Sequence, residues 1–358
     1  NNIITMKPYI YLRGLRHVDL SVFCVESGQK VYWDPVFGTS VPYSSGQQVK
    51  RSILDSINCE LQADPSSVTF VFDVNSKNLL GEGEVLSLCD PQYYDQLLGG
   101  WMRASKGGTE RTLKRRSPFS ISAMRPLHPL LGGRITENAT FDRSDRPELH
   151  KVIVRDASGK PMSEEQVETL LTGTDRSLYR KWIPDNTRAT GLFVYDIAID
   201  LRTLFAVSVN QMEPELTKEK IEELKEKGWV ASRNVFGECL VMPKADRERV
   251  IPAIAKALIN WKITSNQSRT FSLMETLAIA VSDNANALAG AIRAKLVEET
   301  ERPKAKPLID ETAGADLYVT LPCSGYMTTE TESADALQKA EDKLKEWMLA
   351  FDYENQKG

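Results

Sequence analysis

A short polar segment with two cations is the first part of the sequence whose residue types could bind a ligand. Residues 44–51 read SSGQQVKR, and Ser45 followed three residues later by Gln48 is the pattern of a helix capping box. A helix that begins here would aim free N–H groups and the positive end of its dipole at an anion, and Gly46 would allow close approach. These residue types favour a phosphodiester backbone, although an ordinary capped amphipathic helix with solvated cations has the same pattern. The candidate contacts are Ser44, Ser45, Gly46, Gln47, Gln48, Lys50 and Arg51.

A run of positive charge between Trp101 and Arg134 is the second candidate. It contains eight Lys or Arg against one acid, Glu110, a local balance of +7 in a chain whose net charge is −4. The glycines around Lys106 predict a flexible arm, and Trp101 and Phe119 lie among the cations. Such a segment is typical of a single-stranded nucleic-acid surface, although charge runs also form solvated faces. The cations are Arg103, Lys106, Arg111, Lys114, Arg115, Arg116, Arg125 and Arg134.

The sequence contains little that could hold a metal ion or a cofactor. Its three histidines are isolated, and its five cysteines are far apart with no CxxC, so we expect buried, reduced thiols. No apolar run reaches the roughly 18 residues of a membrane span, and the N-terminus has no basic-then-apolar signal pattern. We therefore expect no metal, no cofactor, no membrane contact and a cytoplasmic location.

The elements that must position the two candidate segments follow from hydrophobic periodicity. Alternating side chains predict one or two strands over Tyr9–Val25, a helix starts near Ser45, and VTFVFDV at 68–74 is the next strand. Residues 75–188 have weak periodicity, which indicates an insertion. Strand patterns resume at Thr190.

The second half of the chain is more regular. We predict two strands over 191–209, a charged helix over 213–227, a hairpin over 229–243 and a helix over 246–261. The segment 285–299 predicts a further helix, 304–316 a proline-containing turn, and 333–351 the last helix. This order is compatible with one βαββαβ sheet that carries lobes, an α+β fold of the RNA-recognition-motif architecture. The aromatic signature of ordinary RNA-recognition motifs is absent, so RNA contacts should come from loops, helix starts and the basic insertion.

Four segments taken together resemble the Cascade backbone subunit of type I CRISPR systems, and the DevR-like branch of that repeat-associated RNA-binding superfamily is nearest. The resemblance covers most of the chain, from about Tyr9 to Ala285. The segments are RGLRHVDLSVFCV, VPYSSGQQVKRSIL, SPFSISAMRPLHPLLGG and SNQSRTFSLMETLAIAVSD.

The resemblance implies a modified ferredoxin-like, RRM-like palm over 1–74 and 189–358, with a long finger or web insertion over 75–188. A thumb hairpin would lie within about 202–245. Such proteins line up along a CRISPR RNA as a helical filament, without catalysis. The implied partners are the CRISPR RNA, copies of the same chain, other Cascade subunits, and target DNA that pairs with the guide.

The resemblance also assigns roles to residues. Ser44 to Arg51 would hold the guide backbone, and Arg111 to Arg116 would belong to the finger insertion. A palm loop near the guide would contain Gln267, Ser268 and Arg269. Further RNA contacts are expected at Arg16, Arg103, Lys106 and Arg134.

Two other functions fit parts of the sequence. In related backbone subunits of RNA-targeting systems an aspartate near this turn cuts target RNA, and Asp34 lies at such a place, although an aspartate before proline is also an ordinary turn residue. The chain could also be a stand-alone DNA-binding regulator, but no helix-turn-helix pattern is present.

Overall fold

The structure, a computed structural model, describes residues 7–23, 29–104, 110–142, 145–263, 271–298 and 301–356. Four of the predicted RNA contacts lie outside these ranges. They are Lys106, Gln267, Ser268 and Arg269.

The chain is a mixture of helices and antiparallel strands. The strands of the first half are β1 (Tyr9–Ser21), β2 (Val31–Asp34), β3 (Thr39–Pro42), β4 (Val68–Val71), β5 (Glu84–Ser87), β6 (Trp101–Arg103), β7 (Leu113–Arg115), β8 (Phe119–Ile121), β9 (Arg125–Pro126) and β10 (Gly132–Asp142). Those of the second half are β11 (Arg180–Asp200), β12 (Ala206–Ser208), β13 (Val230–Asn234), β14 (Gly237–Val241), β15 (Thr276–Ser282), β16 (Ile292–Val297), β17 (Lys304–Ile309) and β18 (Asp316–Val319). The α-helices are α1 (Gly46–Leu61), α2 (Tyr94–Gly99), α3 (Glu164–Leu171), α4 (Leu201–Leu204), α5 (Lys218–Glu226), α6 (Lys244–Asn260), α7 (Ala285–Ala291) and α8 (Ala336–Ala350).

The main sheet is antiparallel and has the order β10-β11-β1-β15-β18, with β8 and β9 also paired to β11. In β1, Leu12 lies opposite Ile197 of β11 and Val281 of β15. In the chain, α1 follows β1 and α6 lies between β11 and β15, and the two helices pack against each other. Helices α1 and α6 therefore cover the same face of the sheet.

Two clusters of buried side chains cover the two faces of this sheet. The larger contains Ile10 and Leu12 of β1 together with apolar residues of α1, α6 and α8. The smaller contains Leu15 of β1 and Leu288 of α7. Every residue of β15 is buried, as expected for a central strand that is covered on both faces.

The strongest helical patterns are confirmed. In α1 the predicted stripe of Val49, Ile53, Leu54 and Ile57 is buried. In α6 the predicted stripe is buried too, although the helix contains Pro252.

Three predictions about elements were wrong. The strand at 68–74 exists as β4, but it pairs with β5 in a separate two-stranded sheet, and β8, β9 and β10 supply the strands beyond β11. The helix over 285–299 ends at Ala291, because Ile292–Val297 forms strand pairs with Lys304–Ile309, the segment that we predicted as a turn. The charged helix begins only at Lys218, after the cap that Thr217 provides.

The chain divides into two compact units, one of residues 1–133 with 189–358 and the other of residues 134–188. The second unit ends where the predicted insertion ends but begins at residue 134, not 75. The assignment of 75–188 as a finger or web stays a prediction.

A candidate nucleic-acid interface

The start of α1 is held in place by two serines. Ser45 is the N-cap residue, and its hydroxyl accepts a hydrogen bond from the backbone N–H of Gln48 at 3.3 Å. The Gln48 carboxamide oxygen accepts from the Ser44 hydroxyl at 2.7 Å, so it takes a different partner from the one that a reciprocal capping box requires. The predicted N-cap is therefore confirmed, and Ser44 supplies the second side-chain contact.

Gly46 lies against the connection that follows β8. A Cβ atom at Gly46 would stand 2.8 Å from the carbonyl oxygen of Ile121. Backbone hydrogen bonds between Ser44 and Met124, at 2.9 and 3.0 Å, hold the two segments together. Packing within the protein thus requires a glycine here, and the close approach of an anion to Gly46 stays a prediction.

The polar side chains of α1 differ in their freedom to bind. Gln47 is exposed, while Lys50 is half-buried, and burial lowers the pKa of Lys50. Arg51 is exposed and forms an ion pair with Asp55 at 2.9 Å. An exposed pair of this kind contributes only about 0.3–0.5 kcal/mol, so a phosphate could replace the carboxylate at little cost.

Arg115 of the basic run is buried rather than presented to solvent. Its guanidinium donates to the carbonyl oxygens of Leu97 at 3.0 Å, Ala206 at 2.7 Å and Thr203 at 2.7 Å. It also pairs with the Glu215 carboxylate at 3.3 Å. Burial lowers the pKa of Arg115, and Glu215 opposes that shift. This arginine therefore ties β7 to α2, α4 and β12 and has no donor left at the surface.

The other cations of the run are closer to solvent. Arg103 forms an ion pair with Glu110 at 3.5 Å, and Arg111 donates to the carbonyl oxygens of Gln211 and Met212. The side chains of Lys114 and Arg116 are exposed and have no hydrogen-bond or ion-pair partner within the described ranges. Arg134 is also exposed and belongs to the second unit.

Three of these cations line a cleft of about 1020 Å³ in the first unit. Arg111, Lys114 and Arg116 line it together with Asn234 and Phe236 from the hairpin of β13 and β14. Phe236 is 57% exposed. The cleft therefore combines free positive charge with an accessible aromatic ring, which are the two components of single-stranded nucleic-acid sites.

Arg202 is a cleft residue that the sequence analysis missed. Its guanidinium lies 5.0 Å from the ring centre of Tyr9 and 4.9 Å from that of Phe236, and it binds both carboxylate oxygens of Asp200. The ring of Tyr11 stacks on Tyr9 at 5.8 Å. The local sequence Asp200-Leu201-Arg202 gives no signal for this arrangement, because Arg202 contacts Tyr9 of β1 and Phe236 of the distant hairpin.

The charge of the cleft is nearly balanced. Its lining contains four cations and four acids. However, Asp200 is neutralised by Arg202, and Glu215 by Arg115, which lies behind the lining. With Arg115 counted there are five cations to four acids, and Lys114 and Arg116 are cations without a partner among the described residues.

Arg16 is fully buried in the core. Its guanidinium stacks on the ring of Trp261, with a distance of 3.9 Å to the ring centre, and lies 5.0 Å from that of Tyr195. One weak hydrogen bond reaches the carbonyl oxygen of Ile259 at 3.4 Å. Burial lowers the pKa of Arg16. The guanidinium is not at a surface, so RNA binding by Arg16 stays a prediction without an exposed donor to support it.

Asp34 stabilises a turn between β2 and β3. Its Oδ1 atom accepts hydrogen bonds from the backbone N–H groups of Val36 at 3.0 Å and Phe37 at 2.8 Å. Trp33 and Val36, beside it, are exposed. The geometry is that of an ordinary turn aspartate, which was the alternative interpretation from the sequence.

Within the described ranges, no group of three or more His, Cys, Asp or Glu could hold a metal ion. In the same ranges, no helix has the length and apolar character needed to cross a membrane. Cys89, Cys239 and Cys323 are buried free thiols, whereas Cys59 is exposed, contrary to the expectation, because it lies on the outer side of α1.

Comparison with known proteins gives structural likeness without sequence support. No protein-family model matches the chain, and no curated protein matches its sequence. Among solved structures, a chain of a CRISPR RNA-guided surveillance complex is similar with a TM-score of 0.37, 10% identity, and coverage of 94% of this chain and 84% of that one. A chain of a CRISPR RNA-guided surveillance complex in a pre-nicking state has a TM-score of 0.43, 9% identity, and coverage of 94% and 89%. Scores at this level do not establish a shared family.

Proposed function

We propose that this chain is a CRISPR RNA-binding backbone subunit of a type I Cascade surveillance complex. In this proposal copies of the chain polymerise along the guide RNA in the cytoplasm, contact other Cascade subunits and present the guide for pairing with target DNA. The observation that carries the proposal is the cleft, which is lined by Phe236 and by the exposed Lys114 and Arg116, neither of which has a partner among the described residues. The motifs that resemble the Cascade backbone subunit give the same assignment.

The connectivity of the main sheet supports a ferredoxin-like palm. The spatial order of β15, β1, β11 and then β8 to β10, with α1 after β1 and α6 before β15, follows a βαββαβ path. We assign the hairpin of β13 and β14 as the thumb. The guide would then run between the thumb and the basic strand β7, with its phosphates on Lys114 and Arg116.

The guide-binding proposal can be tested by neutralising the two free cations of the cleft. Lys114→Ala with Arg116→Ala should lower the affinity for guide RNA and reduce the slope of log affinity against log salt by about 1.4, at roughly 0.7 per phosphate contact on a single strand. The melting temperature should be unchanged, because both side chains are exposed. Fluorescence anisotropy over a salt series measures the slope.

The matched control removes the same charge elsewhere. The side chains of Lys339 and Lys345 on α8 are 59% and 37% exposed, each is paired with a nearby aspartate, and neither lines the cleft. Lys339→Ala with Lys345→Ala should leave the salt slope within error of the unmodified protein. Equal salt slopes for the two double variants would show that Lys114 and Arg116 belong to an ordinary solvated face and do not bind phosphate.

The proposal assigns no catalytic residue. The turn-forming hydrogen bonds of Asp34 support a structural role for its carboxylate. Incubation with bound target RNA and divalent metal tests this point directly. Cleavage that disappears in Asp34→Ala would replace the present proposal with an RNA-cleaving backbone subunit.

The size of the assembly distinguishes a stand-alone DNA-binding regulator from a backbone subunit. On size-exclusion chromatography a regulator should stay a small oligomer whether or not guide RNA is present. A backbone subunit should move to a large RNA-bound assembly when guide is added.

A further inference from the structure

The ribbon formed by β4, β5 and their connection, residues 68–88, presents an apolar face that the described residues leave exposed. Phe70 lies directly opposite Val85, so the two side chains share one face, and Val68, two residues from Phe70, points the same way. The ring of Phe72 lies over Gly83 on the partner segment, where a Cβ atom would be 2.4 Å from it. An isolated bridge pairs Val74 with Leu80 and extends the ribbon.

The apolar side chains of the ribbon are exposed to an unusual degree. Phe70 is 62% exposed and Leu80 is 69% exposed. The exposed members on this face are Val68, Phe70, Phe72, Val74, Leu80 and Val85, whereas Leu79 and Leu88 are exposed outside it. An isolated two-stranded ribbon is marginally stable in water, and alternating patterns of this kind normally have their apolar face covered. The ribbon pairs with no other strand in the part of the chain that the structure describes.

The area of this surface matches a protein interface. At about 200 Å² for a whole Phe and about 150 Å² for a Val or Leu, the exposed fractions of the six face residues amount to about 560 Å². This area lies at the upper end of the roughly 300–600 Å² of the largest apolar patch on a typical monomer. Each partner contributes roughly 800 Å² to a stable protein–protein interface, of which about 57%, or about 460 Å², is apolar, so the face supplies that apolar share.

The charge of the ribbon argues against a nucleic-acid occupant. Residues 68–88 contain three acids, Asp73, Glu82 and Glu84, and one cation, Lys77, which is a formal balance of 1 − 3 = −2. Residues 68–88 supply a phosphate with one cation, Lys77, and Glu84 lies opposite Val71 on the other face of the ribbon. A protein partner that buries apolar side chains fits it better.

We propose that the apolar face of the ribbon is the docking surface for a second copy of this chain. The choice of a second copy rests on the proposed function, in which copies lie next to one another along the guide, and on an area sufficient for a stable contact. The contact involves none of the cations assigned to the guide, so it forms without RNA.

Sedimentation velocity of the RNA-free protein over a concentration series tests the docking surface. Unmodified protein should self-associate, and Phe70→Ser with Leu80→Ser should raise the dissociation constant at least tenfold. Because both side chains are largely exposed, the melting temperature should be retained. The control is Leu149→Ser, which removes a 66% exposed leucine in the other unit and should leave the association unchanged.

The same variants separate this inference from guide binding. A short guide fragment that spans one subunit should bind the ribbon variant and the unmodified protein equally well. If the unmodified protein does not bind the fragment, the proposed function is wrong, while the inference about self-association still stands. Unmodified protein that stays monomeric to about 100 µM, or a ribbon variant that associates like the unmodified protein, would overturn the docking surface.

Discussion

At the scale of single residues, the basic run separates into side chains with opposite roles. Lys114, Arg115 and Arg116 are consecutive, and β7 has the burial pattern of an alternating strand in which Leu113 and Arg115 face inward. Because successive side chains of a strand point to opposite faces, three cations in a row cannot all reach one phosphate backbone. The sequence identified the run as basic but contained no sign of the strand, so it assigned all three to RNA.

Arg115 and Arg116 provide an adjacent pair for testing this division. Arg115→Ala removes a buried ion-pair partner and leaves Glu215 and three carbonyl groups without their donor, which should cost about 3–5 kcal/mol. Arg116→Ala should change the free energy of unfolding by less than about 0.5 kcal/mol. Chemical denaturation measures both. Equal stability of the two variants would contradict the buried role of Arg115.

A second residue-scale network lies on the face of the sheet that carries Leu15. The Asp196 carboxylate accepts from Arg13 at 2.6 and 3.1 Å and from Arg125 at 2.7 Å. Burial raises the pKa of Asp196, but the hydrogen bonds and charges of Arg13 and Arg125 outweigh burial and hold that pKa below its usual value of 3.8. Arg125 belongs to the basic run, so one of its cations is engaged within the protein.

The depressed pKa of Asp196 gives the stability a defined pH dependence. A carboxyl group with a folded pKa below its unfolded value stabilises the protein above about pH 4 and loses that contribution as the pH falls through the folded pKa. Asp196→Asn should therefore destabilise at pH 7, by about 1–3 kcal/mol, and the difference from the unmodified protein should shrink near pH 3. Thermal melts at the two pH values measure it. A difference that is the same at both would show that Asp196 acts through packing alone.

At the scale of elements, the sequence predicted the helices and the hairpin whose pattern is set by residues close together in the chain. The α1 and α6 stripes are buried because a 3.6-residue period directs one face to the core whatever covers it. The hairpin of β13 and β14 was predicted from a local turn, and its pairing is local too.

Strand partners across the fold could not be predicted in the same way. VTFVFDV has the pattern of any half-covered strand, and nothing in its seven residues shows that its partner is β5. The segment at 292–297 combines helix-forming residues with a strand-compatible alternation, and its pairing with 304–309 decides the outcome. The cleft is a product of such distant pairings, so Arg202 and Tyr9 were missing from the predicted site.

A substitution at Gly46 tests whether packing or ligand binding requires a glycine at the start of α1. In Gly46→Ala the new methyl group would press on the Ile121 carbonyl group, so the variant should lose about 1–3 kcal/mol of stability in the absence of any RNA. Gly133→Ala is the control, since a Cβ there meets no atom within 4 Å, and its stability should be unchanged within about 0.5 kcal/mol. Normal stability of Gly46→Ala combined with weaker RNA binding would favour the anion site that the sequence suggested.

At the scale of the whole molecule, the cations that could meet a phosphate are distributed over two sites. Lys50 and Arg51 lie at the start of α1, Lys114 and Arg116 lie at the cleft, and both sites belong to the first unit. The two sites are far apart in the chain, but Gly46 packs against Ile121 of β8, which follows Arg116 by only five residues. An RNA strand that uses both sites would be bound along its phosphates over several nucleotides.

Contacts of this kind predict binding that ignores the spacer sequence. Cationic side chains and backbone N–H groups contact phosphate and sugar, which are the same in every guide, whereas reading a base needs donors and acceptors fixed at its edge. In the proposed site, Phe236 would add stacking, which every base can supply. Two guides with the same repeat-derived ends and unrelated spacers should therefore bind with affinities within about tenfold, roughly 1.4 kcal/mol, at one salt concentration. Filter binding of the two guides to the same preparation measures the ratio. A larger preference, retained in Lys114→Ala with Arg116→Ala, would mean that a surface outside the cleft reads bases, and the backbone-directed site proposed here would then be secondary.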